Sequence, residues 1–174
     1  MPKIDLELKH AFRAVRTRVE AYGVRVYIGD VADPNTGTFN GSEIGIDYAN
    51  ELEMSLFVLV HLFGHTVQWN VVPAYRTIDE RVKPFAAPEI IEEARLYEHN
   101  ASRYGLTLLH EAGIRDRDQW LSDWWGSDWR YLSTYYSTGV LPTWNDFRGA
   151  GFPLLEPLPI PKFDTGSYPP RYAF

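Results

Sequence analysis

Apolar side chains recur at helical spacing over the first part of the chain, at Ile4, Leu8, Ala11, Phe12, Val15 and Val19, with Lys, Arg and Glu between them. That stripe predicts an amphipathic helix from Ile4 to about Tyr22, stopped by Gly23. Val24, Val26 and Ile28 then alternate with Arg25 and Tyr27, the period of a strand with one buried face. A turn-rich segment, DVADPNTGTFNGSE, leads to a second alternating run at Ile44, Ile46 and Tyr48, and the two runs predict a pair of antiparallel strands.

The next stretch, LFVLVHLFGHTVQW from Leu56 to Trp69, is apolar nearly all round except at His61, His65 and Gln68, which predicts a buried helix. Asn50 followed three residues later by Glu53 has the form of a capping box and sets the helix start at about Glu51. Val71 to Ala87 holds two prolines and several charges, so an irregular connection is expected. Pro88 suits the first turn of a further helix running to about Ala112, before Gly113. A fourth helix is expected from Asp116 as its cap to about Ser137, carrying Trp120, Trp124, Trp125, Trp129, Tyr131, Tyr135 and Tyr136. The tail after Leu141 holds seven of the twelve prolines and reads as an extended arm. Its Phe152, Leu154, Leu155, Leu158, Ile160 and Phe163 make it too apolar to be freely disordered, so packing on the body or on a partner is expected.

These elements predict an α+β fold, mainly helical with a small antiparallel sheet, in which residues 1–141 form one domain and residues 142–174 an arm packed upon it. A length of 174 residues suits one domain with a substantial core. The net charge of −6, with no cluster of Lys or Arg, speaks against nucleic-acid binding. The charged N-terminal stretch lacks an apolar signal core, and no stretch reaches the ~18 apolar residues of a membrane span. A cytoplasmic protein without a membrane segment is therefore expected. Aromatic residues reach 15%, with six Trp, which raises a second use for the aromatic helix and the Pro-rich arm, as a surface for a protein or peptide partner.

Candidate chemistry centres on His61 and His65, four residues apart and so on one face of a helix. This is the spacing of a zinc-ligand pair, and the absence of cysteine restricts any metal to histidine and carboxylate. In the HExxH motif a Glu follows the first His and serves as general base, whereas this chain has Leu62. The helix from Pro88 supplies a third ligand, because Glu98 falls in the inward row Ile91, Ala94, Ala101, Gly105 and Leu108. A carboxylate placed there is costly unless it is paired or binds a cation, and the small neighbours let the two helices approach closely. Gln68, one turn beyond His65, is placed to orient a ligand histidine. Asp128 lies in the row Trp120, Trp124, Tyr131 and Tyr135 and is the candidate substitute base. A plainer account stands beside each: histidines hydrogen-bonded within a core, Glu98 satisfied by Arg or Tyr, and Asp128 held by aromatic donors.

The segment GTFNGSEIGIDYANELEMSLFVLVHLFGHTVQW resembles the part of ImmA/IrrE-type zinc metallopeptidases in which a strand and short loop lead into the HExxH helix. EHNASRYGLTLL is similar to their later ExEAxxFAxxLL segment, so the resemblance spans about Gly37 to Ala112. It implies a zincin-like domain, with zinc held by His61, His65 and Glu98, and with Ser102 replacing the acid that often orients a ligand histidine. Leu62 in place of the catalytic Glu and Asn100 in place of a second acid depart from the pattern. Three functions follow: a metal-binding protein that has lost efficient proteolysis and serves in binding or regulation, an active metallohydrolase using Asp128 or another base, and a metal-free interaction module.

Overall fold

The computed structural model describes residues 3–173, with side chains from Leu6 onward; the side chain of Ile4 lies outside the described residues. Helix α1 (Lys3–Ala21) buries Leu8, Ala11, Phe12, Val15 and Val19, the apolar row that its periodicity predicts. It ends at Gly23, whose φ of 81° a residue with a Cβ rarely adopts.

Strands β1 (Arg25–Gly29), β2 (Gly37–Phe39), β3 (Glu43–Asp47) and β4 (Arg171–Ala173) form one sheet in the order β1-β3-β2-β4. The two alternating runs do pair, but in parallel, with Val26 beside Ile44 and Ile28 beside Ile46. This corrects the antiparallel expectation. The supposed turn region contains β2, which takes the antiparallel place on the other side of β3. The β2–β3 turn is made by Asn40, whose Oδ1 accepts from the backbone N–H of Ser42 and Glu43, and by Gly41 at φ 95°. Reversing direction through β2 brings the chain back to enter β3 alongside β1. Tyr48, expected in the inward row of β3, lies past the strand end and is 68% exposed.

Helix α2 (Leu52–Val71) is buried from Ser55 through Trp69 and forms the centre of the molecule, packed against α1, the sheet and α4 (Pro88–Glu111). Its expected capping box is not made. Glu51 stands at the N-cap without a side-chain cap, while the Asn50 amide donates to the Thr36 carbonyl. Glu53 instead accepts from the Trp120 indole N–H and the Arg148 guanidinium. A tertiary charge-assisted pair has taken the carboxylate that the local motif would use. The connection after α2 contains a 3₁₀ turn (Pro73–Thr77) and the short helix α3 (Ile78–Arg81), joined to α2 with a sharp bend.

Close approach of α2 to α4 depends on two glycines. A Cβ on Gly64 would collide with the Ala101 carbonyl, and one on Gly105 would sit 2.5 Å from Val60 Cγ1. Helix α5 (Asp118–Thr138) begins two residues after the expected cap and lies against α4. Trp124 stacks on Phe57 of α2 with ring centroids 4.5 Å apart and on Trp144 at 5.7 Å.

The Pro-rich segment runs over the helices and is tied by its backbone. Gly149 N–H donates to Ser127 Oγ, Phe152 N–H to Asp123, Leu155 N–H to Ser122 Oγ and Leu158 N–H to the Arg103 carbonyl. Farther on, Gly166 N–H reaches Asn70, Tyr168 N–H reaches the Asn40 carbonyl, and the chain enters β4 beside β2. The result is a mainly helical α+β fold with a small mixed sheet. No single helix among the described residues is long and apolar enough to cross a membrane.

Candidate metal centre

His61 and His65 sit one turn apart on α2, and Glu98 faces them from α4. All three are buried. His61 Nε2 lies 3.0 Å from His65 Nε2, and Glu98 Oε2 lies 3.2 Å from the first and 3.1 Å from the second. A tetrahedral cation with bonds of about 2.0–2.1 Å needs ligand atoms roughly 3.3–3.4 Å apart, so the triangle is within a few tenths of an ångström of one face of such a site. Two neutral imidazoles and a carboxylate also form a donor set suited to zinc.

The imidazoles are held in place before any ion arrives. His65 is sandwiched between Tyr97 and Phe39, with ring centroids 4.3 and 5.7 Å away. His61 stacks on Phe57 at 5.3 Å and meets His65 edge-on at 4.5 Å. Gln68 decides the tautomer of His65. Its Nε2 donates to the Tyr97 carbonyl at 2.8 Å, which can only accept, so its Oε1 must face His65 Nδ1 at 2.9 Å. Nδ1 therefore carries the proton, and a neutral His65 presents the lone pair of Nε2 toward Glu98 and His61. This is the outer-shell arrangement that ligand histidines use. Ser102 is buried nearby, but among the described residues its hydroxyl meets no hydrogen-bond partner, and neither does His61 Nδ1.

Burial opposes charge on all three groups, and their mutual contacts overcome it at Glu98 and His61 but not at His65. Burial pushes the Glu98 pKa up, but the charges and hydrogen bonds of His65 and His61 outweigh it and hold the carboxyl well below its ordinary range. Burial also disfavours the His61 imidazolium, but Glu98 and then Asp128 overcome this, and the pKa of His61 is raised. His65 is lowered, by burial first and with His61 adding to it against the pull of Glu98. Without an ion the cluster thus favours the ionised form at Glu98 and the imidazolium at His61, and disfavours the imidazolium at His65.

The cluster opens onto a cavity of about 580 Å³. Leu62 and Asp128 line it, together with Arg171 from β4. Leu62 is 1% exposed, so the position after the first histidine presents hydrocarbon. Asp128, brought in by α5, has its carboxyl pushed up to about 7, chiefly by burial. No hydrogen bond or ion pair holds that carboxylate among the described residues, although aromatic donors are close in sequence.

Periodicity singled out His61, His65, Gln68, Glu98 and Asp128, and the fold brings all five to one region. Three contributors went unnoticed. Tyr97 is 1% exposed and stacks on His65; as the residue next to Glu98, its buried phase was available in the same helical pattern. Gly64 lies within the quoted HLFGH run and permits the helix approach. Arg171, in the Pro-rich tail, had no local signal at all.

The arrangement defines a mainly helical α+β protein with a buried His-His-Glu group able to hold a metal ion. Comparison with protein-family models, curated proteins and solved structures gave no match, so the chemistry of the site must carry the functional reading.

Proposed function

We propose that the protein binds zinc through His61 Nε2, His65 Nε2 and Glu98 Oε2, and that it is a divergent zincin-like protein of the ImmA/IrrE type whose peptidase activity is lost or greatly reduced. Its role is then binding or regulation. The observation that carries the metal reading is the triangle of two ring nitrogens and one carboxylate oxygen at 3.0, 3.1 and 3.2 Å. His65 Nε2, kept an acceptor by Gln68, faces His61 Nε2 and the Glu98 carboxylate, an arrangement that a shared cation or a proton on His61 Nε2 satisfies. Zinc bound there would supply Lewis acidity. Gln68 keeps His65 in the ligand tautomer, and Phe39, Phe57 and Tyr97 hold both rings in place. Leu62 supports the loss of catalysis. A general base contributes ~10²–10⁴ in rate, and a buried leucine can accept no proton.

Metal analysis of protein purified without a His tag tests this reading. About one zinc per chain is expected, lost in His65→Ala and in Glu98→Ala while circular dichroism confirms that both variants fold. Absence of metal from native and zinc-supplied preparations alike would return the cluster to hydrogen-bonded core.

Asp128 favours a second reading. A carboxyl that lines the same cavity and titrates near neutrality is a competent proton acceptor. Under that reading the zinc-loaded protein already hydrolyses peptides, and Asp128→Asn abolishes turnover without changing zinc content. Under the first reading neither protein has measurable turnover.

A further inference from the structure

We propose that the cavity beside the His-His-Glu cluster binds a monoanionic carboxylate with an aromatic or branched apolar body, and that Arg171 is the residue that recognises the carboxylate. Strand β4 carries Arg171 to a position opposite Phe39 of β2, and Thr38 Oγ1 donates to the Arg171 carbonyl, which fixes the backbone. The guanidinium lies over the Tyr97 ring, 5.7 Å from its centroid. Nη1 is buried, and among the described residues it has no hydrogen-bond partner and Arg171 makes no ion pair. A half-buried guanidinium without a hydrogen-bonded anion is suited to accept one from a ligand. Glu98 and Asp79 of the cavity wall act on the guanidinium from a distance and keep it charged against burial, but neither they nor Asp128 makes an ion pair with it, so its donors stay open to a ligand.

The other walls describe the rest of the ligand. Phe57, Trp124, Tyr131 and Trp144 surround the space with aromatic faces, and a volume of about 580 Å³ suits a small organic molecule. Charge selects a monoanion. Arg171 and a dication set against the Glu98 carboxylate leave an excess of positive charge, while Asp79 and Asp128 along the same wall disfavour a phosphate dianion. The charge count rests on the zinc reading, whereas the unpartnered Arg171 does not. The carboxylate belongs either to a free small acid or to the C-terminus of a peptide.

Calorimetry with 3-phenylpropionate and its uncharged amide, on zinc-loaded and metal-stripped full-length protein, tests the proposal. A charge-assisted guanidinium–carboxylate contact predicts that the acid binds about ten- to a hundredfold more tightly than the amide. Arg171→Gln should erase that difference and leave zinc content unchanged. N-acetylglycylphenylalanine and its C-terminal amide form a second pair; tighter binding of this acid than of 3-phenylpropionate identifies a peptide end, and the reverse a free acid. Equal affinity of acid and amide in both pairs, no binding of either acid, or an acid preference that survives Arg171→Gln overturns the proposal. Should Arg171→Gln not fold, the acid–amide comparison on the unaltered protein decides alone. An Arg171-dependent preference in protein that takes up no zinc even when supplied with it would show that the metal reading has failed and this one has not.

Discussion

Leu62→Glu introduces a carboxylate one residue after His61, into a cavity wall that is now hydrocarbon. Leu62 is 1% exposed, and its Cδ1 lies 3.0 Å from where a Cβ on Gly37 would stand, so the new carboxylate is held among apolar groups away from bulk water. Losing the buried leucine costs about 2–3 kcal/mol at any pH. A carboxyl so enclosed has its pKa raised to ~8–9, against about 4.3 in the unfolded chain. A raised pKa contributes no penalty below the unfolded value and a growing one as pH rises toward the folded value, reaching ~4–5 kcal/mol at pH 8. In metal-free protein the variant should therefore melt moderately below the parent at pH 5 and ~12–30 °C below it at pH 8, at roughly 2–4 °C per kcal/mol. A dication at His61, His65 and Glu98 favours the ionised form and should remove at least half of the additional loss at pH 8. Thermal melts of both proteins at both pH values, in chelator or in excess zinc, measure this as a difference of differences. The same zinc-loaded variant should show slow peptide hydrolysis that the parent lacks. If the gap between variant and parent at pH 8 is the same with zinc as without, no cation lies near position 62 and the reasoning is wrong.

Gln68→Leu should keep the fold and weaken zinc binding about 10–100-fold, read by competition with a chromophoric chelator, because His65 loses the acceptor that fixes its tautomer. An unchanged affinity would remove Gln68 from the site. Zinc binding should release about one proton wherever His61 is protonated in the metal-free form, so affinity falls about tenfold per pH unit below its raised pKa and levels off above it. Titrations in buffers of different ionisation enthalpy count that proton. In metal-free protein, His61 contributes stability that is present below about pH 6.5 and lost as pH rises through its raised value. Glu98 contributes stability lost as pH falls through its depressed value, so urea midpoints should peak between the two. Gly64→Ala should cost about 1–3 kcal/mol or more in urea unfolding, since the added methyl meets backbone rather than a movable side chain.

The helices were legible because each carries a long periodic signal. Val15 and Val19 of α1, and Ala94, Glu98 and Ala101 of α4, announce their buried faces without outside help. Glu98 stood out for a physical reason: an acid among small residues on an inward row has to be compensated. Neither β2 nor β4 could be read in this way. Each is three residues long, shorter than the alternation that marks a strand, and β4 lies among prolines. The parallel pairing of β1 with β3 followed from β2 and was hidden with it. The capping box failed where a distant indole and guanidinium competed for Glu53, a contest no local pattern records. Arg171 was invisible because its environment is made entirely by residues far away along the chain.

That distance also bears on timing. The hydrogen bond between Thr38 and Arg171 closes a loop of 133 residues, and the pairing it belongs to is only three residues long. Contacts of such separation form late, after the local and helical ones are in place. Short pairings of this kind also belong to the least stable part of a structure, opening at a smaller free-energy cost than the core. The wall that carries Arg171 is therefore expected to open before the core, with amide exchange faster in β4 than in α2 and α4. The packing of α2 against α4 does not depend on that strand, so the histidines and Glu98 should stay together when it opens.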